Sequence, residues 1–257
     1  MRYTDRRHAG AELGRLLVAE FDGLPGVTRP VTAGDGAAGD RAGVPAAGPG
    51  GTAGTGPTGV ADPAATALTG GPVVLALPRG GVPVGIGVAE ALGAPLDLVI
   101  VRKVGLPGQP EVGAGAVTED GVVLLDEALL DRVRLTVEDL EPFVAAEQAE
   151  LARRVESYRR GASPLPLTGR IAVVVDDGLA RGVTALAAVR AVRARQAATV
   201  VVAVPVASRE GVRRVAQECD AVVCPAVVDR FGAVGRYYRD FAQLSDDEVC
   251  ALLDHDS

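Results

Sequence analysis

The sequence predicts an α/β protein built on a doubly wound, mainly parallel sheet. Two observations carry this. Short apolar runs such as Val73 to Leu77 and Ile171 to Val175 lack polar alternation, which marks strands buried on both faces. From residue 72 onward these runs alternate with helical patterns, and strands alternating with helices imply a parallel sheet covered on both sides. The 257 residues suffice for one large or two small domains, and the apolar fraction of 48% is ordinary for a globular chain.

Residues 5 to 21 place Ala9, Leu13, Leu16, Leu17 and Phe21 at helical spacing. They predict an amphipathic helix packed on the core, with Arg6, Arg7, Glu12 and Arg15 outward. This unit, residues 1–22, ends at Asp22-Gly23. Residues 23–71 are dominated by Gly, Ala, Pro and Thr and are expected to form a disordered insertion, because they bury too little apolar surface to offset their ordering entropy. The main domain is expected over 72–257. Within it Val73 to Leu77 is a strand, Val82 to Leu92 a helix weakened by Gly85 and Gly87, and Leu96 to Val101 a second strand. Ala114 to Thr118 and Val122 to Leu125 flank Glu119-Asp120-Gly121, a hairpin signal. Thr136, with Asp139 three residues on, caps a helix to about Arg160. Ile171 to Val175, Thr199 to Val204 and Ala221 to Cys224 are strands, and Thr184 to Arg195 and Arg209 to Glu218 are the helices between them. Ligands of such sheets sit at the carboxyl ends of the strands, so the loops after Leu77, Val101, Val175 and Val204 are the places for chemistry.

Composition removes whole mechanisms. Lys103 is the only lysine and stands outside any Gly-Lys-Ser/Thr, which excludes a Walker-type nucleotide loop. The two histidines, His8 and His255, lie near the chain's two ends, and no Gly-x-Ser-x-Gly elbow exists among the five serines. A net charge of -7 argues against a nucleic-acid partner. The first residues lack the apolar core of a signal peptide and no apolar run is long enough to span a bilayer, so a cytoplasmic protein without a membrane partner is expected. Cys219, Cys224 and Cys250 lack Cys-x-x-Cys spacing and read as buried reduced thiols.

Two loops carry the chemistry. In Val173-Val174-Val175-Asp176-Asp177-Gly178-Leu179-Ala180-Arg181-Gly182-Val183-Thr184 an apolar strand delivers two carboxylates and then a glycine-containing turn into a helix. Backbone N–H groups there make an anion nest, Thr184 adds a hydroxyl, and the carboxylates can accept from sugar hydroxyls or hold Mg2+. In Leu77-Pro78-Arg79-Gly80-Gly81 a glycine pair lets backbone amides approach an anion beside a cation.

These residues resemble the type I phosphoribosyltransferases, whose signature is an apolar strand, two acidic residues, a short loop and Gly-x-Thr. The resemblance covers about residues 73 to 242. It is strongest to a bacterial subgroup with Pro-Arg-Gly-Gly, Arg-Lys, Asp-Asp-Gly-Leu-Ala and a late segment matching Phe231 to Phe241. It implies that Asp176 and Asp177 contact the ribose of phosphoribosyl pyrophosphate and its Mg2+. It further implies that Gly178, Leu179, Ala180, Arg181, Gly182, Val183 and Thr184 bind the 5-phosphate. Arg79, Gly80, Gly81, Arg102 and Lys103 would bind pyrophosphate, with 102–111 as the family's mobile loop. The family usually has threonine at the position of Arg181, whose guanidinium either weakens phosphate binding or supplies a charged contact. Ala180 argues against a 6-oxopurine acceptor, and Glu111 is the candidate catalytic residue facing the base. Phe231 and Tyr237 either stack on that base or pack at a sheet edge or dimer contact. The implied activity is Mg2+-dependent transfer of the 5-phosphoribosyl group to a nitrogenous base with release of pyrophosphate, a reaction of nucleotide metabolism. The alternative is a non-catalytic regulator of the same fold that senses phosphoribosyl pyrophosphate or a nucleotide, and a homodimer stays open.

Overall fold

Strand and helix follow one another in the order that the apolar runs dictate. The computed structural model describes residues 2–21 and 71–255, so the insertion expected at 23–71 lies outside the described residues except for Gly71. Helix α1 (Arg6–Phe21) is followed by strand β1 (Val73–Ala76), helix α2 (Gly81–Leu92) and strand β2 (Leu96–Leu98). Strands β3 (Val101–Leu106), β4 (Gln109–Thr118) and β5 (Val123–Leu125) lead to helices α3 (Glu127–Val133) and α4 (Val137–Arg159). The chain continues through β6 (Ile171–Val175), α5 (Val183–Ala194), β7 (Thr199–Ala203), β8 (Val206–Ser208), α6 (Arg209–Val215), β9 (Ala221–Val223) and β10 (Ala226–Val228). A 3-10 turn at Val234–Tyr237 and helix α7 (Asp246–His255) close it.

The central sheet has the order β2-β1-β6-β7-β9, and every neighbouring pair is parallel. Side chains alternate across it. Val73, Leu75, Val174 and Val202 join the core under α5, whereas Val74, Val173, Val175 and Val201 join the core under α1 and α2. Both faces are therefore dry, and each fully buried Val or Leu contributes about 1.5–3 kcal/mol. This explains why the strands read as unbroken apolar runs.

Helices α1 and α2 approach closely through glycines. A β-carbon on Gly10 would overlap the Val84 carbonyl, and one on Gly87 would come within 2.7 Å of Ala11 N. Gly87, read from sequence as a weak point of α2, is thus where α1 crosses, while Gly85 lies over Ala76 of β1. Thr136 caps α4 with its hydroxyl on the Asp139 N–H, and Asp139 accepts from the Thr136 N–H in return, the capping box the sequence predicts.

Three expectations need correction. Leu96 to Val101 is two strands: β2 stays in the main sheet, while β3 leaves it and pairs antiparallel with β4. The break falls there because the Ile100 N–H donates to the Glu119 carboxylate at 3.0 Å and not to a neighbouring strand. Residues 102–111, expected as a mobile loop, lie mostly in β3 and β4, a ribbon turning at Pro107-Gly108, where Gly108 takes φ 71°. Arg6, expected to face outward, points inward with its side chain 11% exposed. The hairpin over 114–125 forms as the sequence predicts, with Gly121 at φ 83° in the turn.

Candidate functional site

The carboxyl ends of β1 and β6 sit side by side in the sheet, which brings their loops together. Leu77 N–H donates to Val175 O at 2.9 Å. The Pro78-Arg79 peptide is cis, and α2 begins immediately after Gly80. A β-carbon on Gly80 would overlap the Asp177 carboxylate, and one on Gly81 would lie 2.6 Å from Val175 O and 3.3 Å from Asp176 Oδ1. Any side chain at either glycine would displace the acidic pair.

Asp176 and Asp177 have different surroundings. Asp176 Oδ1 accepts the Asp177 N–H at 2.8 Å and the residue lines a pocket. Asp177 Oδ2 accepts from Arg6 Nε at 2.8 Å, and its backbone carbonyl accepts from the Tyr238 hydroxyl at 2.6 Å. Arg6 also donates to Ala242 O and lies 3.8 Å over the Phe241 ring. Burial, reinforced by the charge of Asp177, pushes the Asp176 carboxyl well above the usual aspartate range. Burial also raises Asp177, against the pull of Arg6. Tyr238 is raised by burial and then by the two aspartates, so its hydroxyl keeps its proton and donates.

The loop after Asp177 is pinned from below. Leu179 N–H donates to Val206 O and Ser208 N–H donates to Leu179 O, a parallel bridge to β8, while the Ser208 hydroxyl donates to Ala180 O. Gly182 takes φ 76° against Val215, a left-handed position that favours glycine, and begins α5. The result is a pocket of about 210 Å3 lined by Gly178 to Ala185, Asp176, Lys103, Glu111 and Gly113. Lys103 Nζ donates to Glu111 O at 3.0 Å across the ribbon.

Residues 67–242 match the model of the phosphoribosyl transferase domain. The chain belongs to the type I phosphoribosyltransferase family. A Mycobacterium tuberculosis protein named "Putative phosphoribosyl transferase Rv0571c" is 50% identical over 182 residues, which is 71% of this chain and 41% of that protein. The chain therefore spans about two fifths of the length of the curated relatives it matches. The crystal structure of TT1426 from Thermus thermophilus is 38% identical, is covered over 98% of both chains and superposes with a TM-score of 0.67.

The structure gathers residues 178–184, Asp176, Lys103 and Glu111 around one pocket. Others fall outside it. Arg102 pairs with Glu147 of α4 at 2.6 Å, and Arg79 faces Asp246 of α7 at 3.9 Å. Phe231 and Tyr237 stack on each other with centroids 5.5 Å apart, and Phe231 is 9% exposed. They line no part of that pocket. Arg181 lines it and pairs with Asp126, which also holds Arg214. Sequence reasoning misses Arg6, Asp126, Arg214 and Tyr238, since each reaches the site from a distant element. Burial pushes the Cys219 thiol up to about 11 and Cys224 up to about 12, so both stay protonated. No helix among the described residues is long and apolar enough to cross a membrane.

Proposed function

We propose that the chain transfers the 5-phosphoribosyl group of phosphoribosyl pyrophosphate to a nitrogenous base and releases pyrophosphate. The observation that carries this is the single pocket shared by the 178–184 loop, Asp176, Lys103 and Glu111. A phosphate, a ribose, a leaving anion and an acceptor each need a different partner, and four such partners line one cavity.

The 5-phosphate lies on the loop's N–H groups from Gly178 to Val183 other than that of Leu179, which β8 already holds, and on the Thr184 hydroxyl, where the start of α5 adds a positive potential. Asp176 and Asp177 accept from the ribose hydroxyls. The same pair fits Mg2+: Arg6 pairs with Asp177 alone, and the excess charge of a second adjacent carboxylate in a buried place calls for a cation. Two carboxylates leave the cation's other positions to water and to the substrate's own phosphate oxygens. When bound, Mg2+ supplies charge neutralisation to the departing pyrophosphate. Lys103, which lines the pocket, stabilises the same anion as the bond from C1 to its oxygen breaks. The acceptor nitrogen forms the new bond to C1 and releases its proton to water, while Glu111 accepts a hydrogen bond from the base and orients it.

The test is pyrophosphate release from phosphoribosyl pyrophosphate and Mg2+ across a panel of bases, beside calorimetric binding. Release with one or more bases is expected, abolished in Asp176→Asn plus Asp177→Asn. Binding without release for any base would instead favour a sensor, and no binding would overturn the reading.

A further inference from the structure

Arg181 is the one charged residue between Gly178 and Val183, a loop otherwise of glycine and apolar side chains. It lines the pocket, and its Nη2 donates to Asp126 Oδ2 at 3.2 Å. Asp126 stands outside the loop, as the N-cap of α3, with its side chain 7% exposed. Its Oδ1 accepts the Leu129 N–H, and its Oδ2 also accepts from Arg214 Nη1 of α6 at 2.8 Å. Burial works against its charge, but the Arg214 hydrogen bond and charge, the Leu129 N–H and Arg181 outweigh it and hold the carboxyl below its usual range. Asp126 is therefore ionised.

The charges do not cancel. One carboxylate oxygen holds two guanidinium groups, and among the described residues neither arginine has a second carboxylate within 4.0 Å. One positive charge is left over, half-buried, beside the start of α5. A few residues upstream the acidic pair carries the opposite excess, which would repel a phosphate lying along the same loop. A cation at the far end of the loop offsets that repulsion. Two guanidinium groups on one oxygen are also mutually repulsive, and a second anion at Arg181 relieves them.

We propose that Arg181 is the charged ligand of a phosphomonoester dianion at this loop, and that Asp126 and Arg214 are positioning residues that fix its guanidinium from α3 and α6. The ligand class is a sugar 5-phosphate, and the inference rests on the proposed function for that identification. The Asp126 contact orders the Arg181 side chain before the ligand arrives, so its rotamer freedom is not lost at the binding step.

The experiment is calorimetric titration of the full chain with ribose 5-phosphate. Arg181→Ala should weaken binding about tenfold or more, as loss of a charge-assisted contact does, and flatten its salt dependence, with the thermal midpoint unchanged. Millimolar guanidinium chloride, far below denaturing levels, should restore part of the affinity to Arg181→Ala. It should not restore it when Asp126→Asn is added, because the free guanidinium then has no carboxylate to seat it. Asparagine caps a helix as well as aspartate, and a thermal melt of each variant checks that it is folded before titration. A parent chain that binds ribose 5-phosphate, with Arg181→Ala indistinguishable from it, overturns this proposal alone. Loss without guanidinium rescue, or rescue that persists with Asp126→Asn, overturns the positioning role of Asp126. A parent that binds no ribose 5-phosphate overturns the proposed function as well.

Discussion

Asp176 and Asp177 follow one another in the chain but differ in what balances them. Asp177 has Arg6, whereas the Asp176 carboxylate has the N–H of its neighbour and faces the pocket. Unfolded, an aspartate titrates near ~3.9; folded, Asp176 titrates well above that because of burial and then the charge of Asp177. In the window between the two values the native chain binds the extra proton, so stability falls as pH rises through it. Above the folded value the whole penalty is present. Asp176→Asn should therefore melt above the parent at neutral pH in the presence of a chelator, and the difference should close below about pH 4. Circular dichroism melts across pH read this, and equal midpoints at neutral pH would contradict it. Arg6→Ala has the opposite sign. It strands a buried carboxylate, which costs about 3 kcal/mol when one partner of a buried pair is removed. Denaturant titration should show that loss, together with weaker binding of phosphoribosyl pyrophosphate.

At the scale of elements, the crossing of α1 on α2 is set by glycines and not by propensity. Gly10→Ala would drive a β-carbon into the Val84 backbone carbonyl, where no flexible atom can give way. A cost of about 2 kcal/mol is expected in equilibrium unfolding, within the range of overpacking penalties. An unchanged midpoint would show that the helices slide apart freely. The same element shows what a sequence can and cannot disclose. Ala9, Leu13 and Leu17 announce the helix by their spacing, and all three are buried. Nothing local announces that Arg6, on its first turn, leaves the solvent side to reach Asp177, because the carboxylate is 171 positions away. The strands β1, β6 and β7 are legible because both faces bury apolar side chains. β8 and β10 are three residues each and pair with each other, too short to show a period. The ribbon of β3 and β4 reads as a loop because Gly105, Pro107, Gly108 and Pro110 punctuate it, although its ladder forms around them. For the site, the 178–184 loop and the acidic pair are contiguous in sequence and can be read from it. Asp126 at the start of α3, which holds Arg181, and Arg214 of α6, which holds Asp126, cannot.

Across the whole molecule, residues 2–6 and 237–242 close a clasp over the acidic loop. Tyr3 N–H donates to Tyr237 O, Arg239 N–H to Tyr3 O and Asp240 N–H to Thr4 O, so the two segments run together as backbone. The rings of Tyr3 and Tyr238 lie 5.7 Å apart, those of Tyr238 and Phe241 5.1 Å apart, and the Tyr3 hydroxyl donates to Pro205 O. Both arms converge on Asp177, Arg6 at its side chain and Tyr238 at its carbonyl. Tyr3, Tyr238 and Phe241 therefore pack around the two groups that fix one aspartate, which gives a reason for clustered rings in a sequence otherwise poor in them. If the clasp acts as a unit, Tyr238→Phe and Arg6→Ala should not add. Once Arg6 is gone the loop is already loosened, and losing the Tyr238 hydroxyl bond should cost less than it does in the parent. A double-mutant cycle in denaturant should give a coupling of about 1 kcal/mol, within the range for residues in one network. The pairing of Arg6→Ala with Arg190→Ala, whose partner Glu218 lies beyond α6 and shares no contact with the clasp, should add within a few tenths. Additivity in the first cycle would mean that the two arms hold Asp177 independently. The N-terminal helix would then be an ornament on the site and not part of its frame.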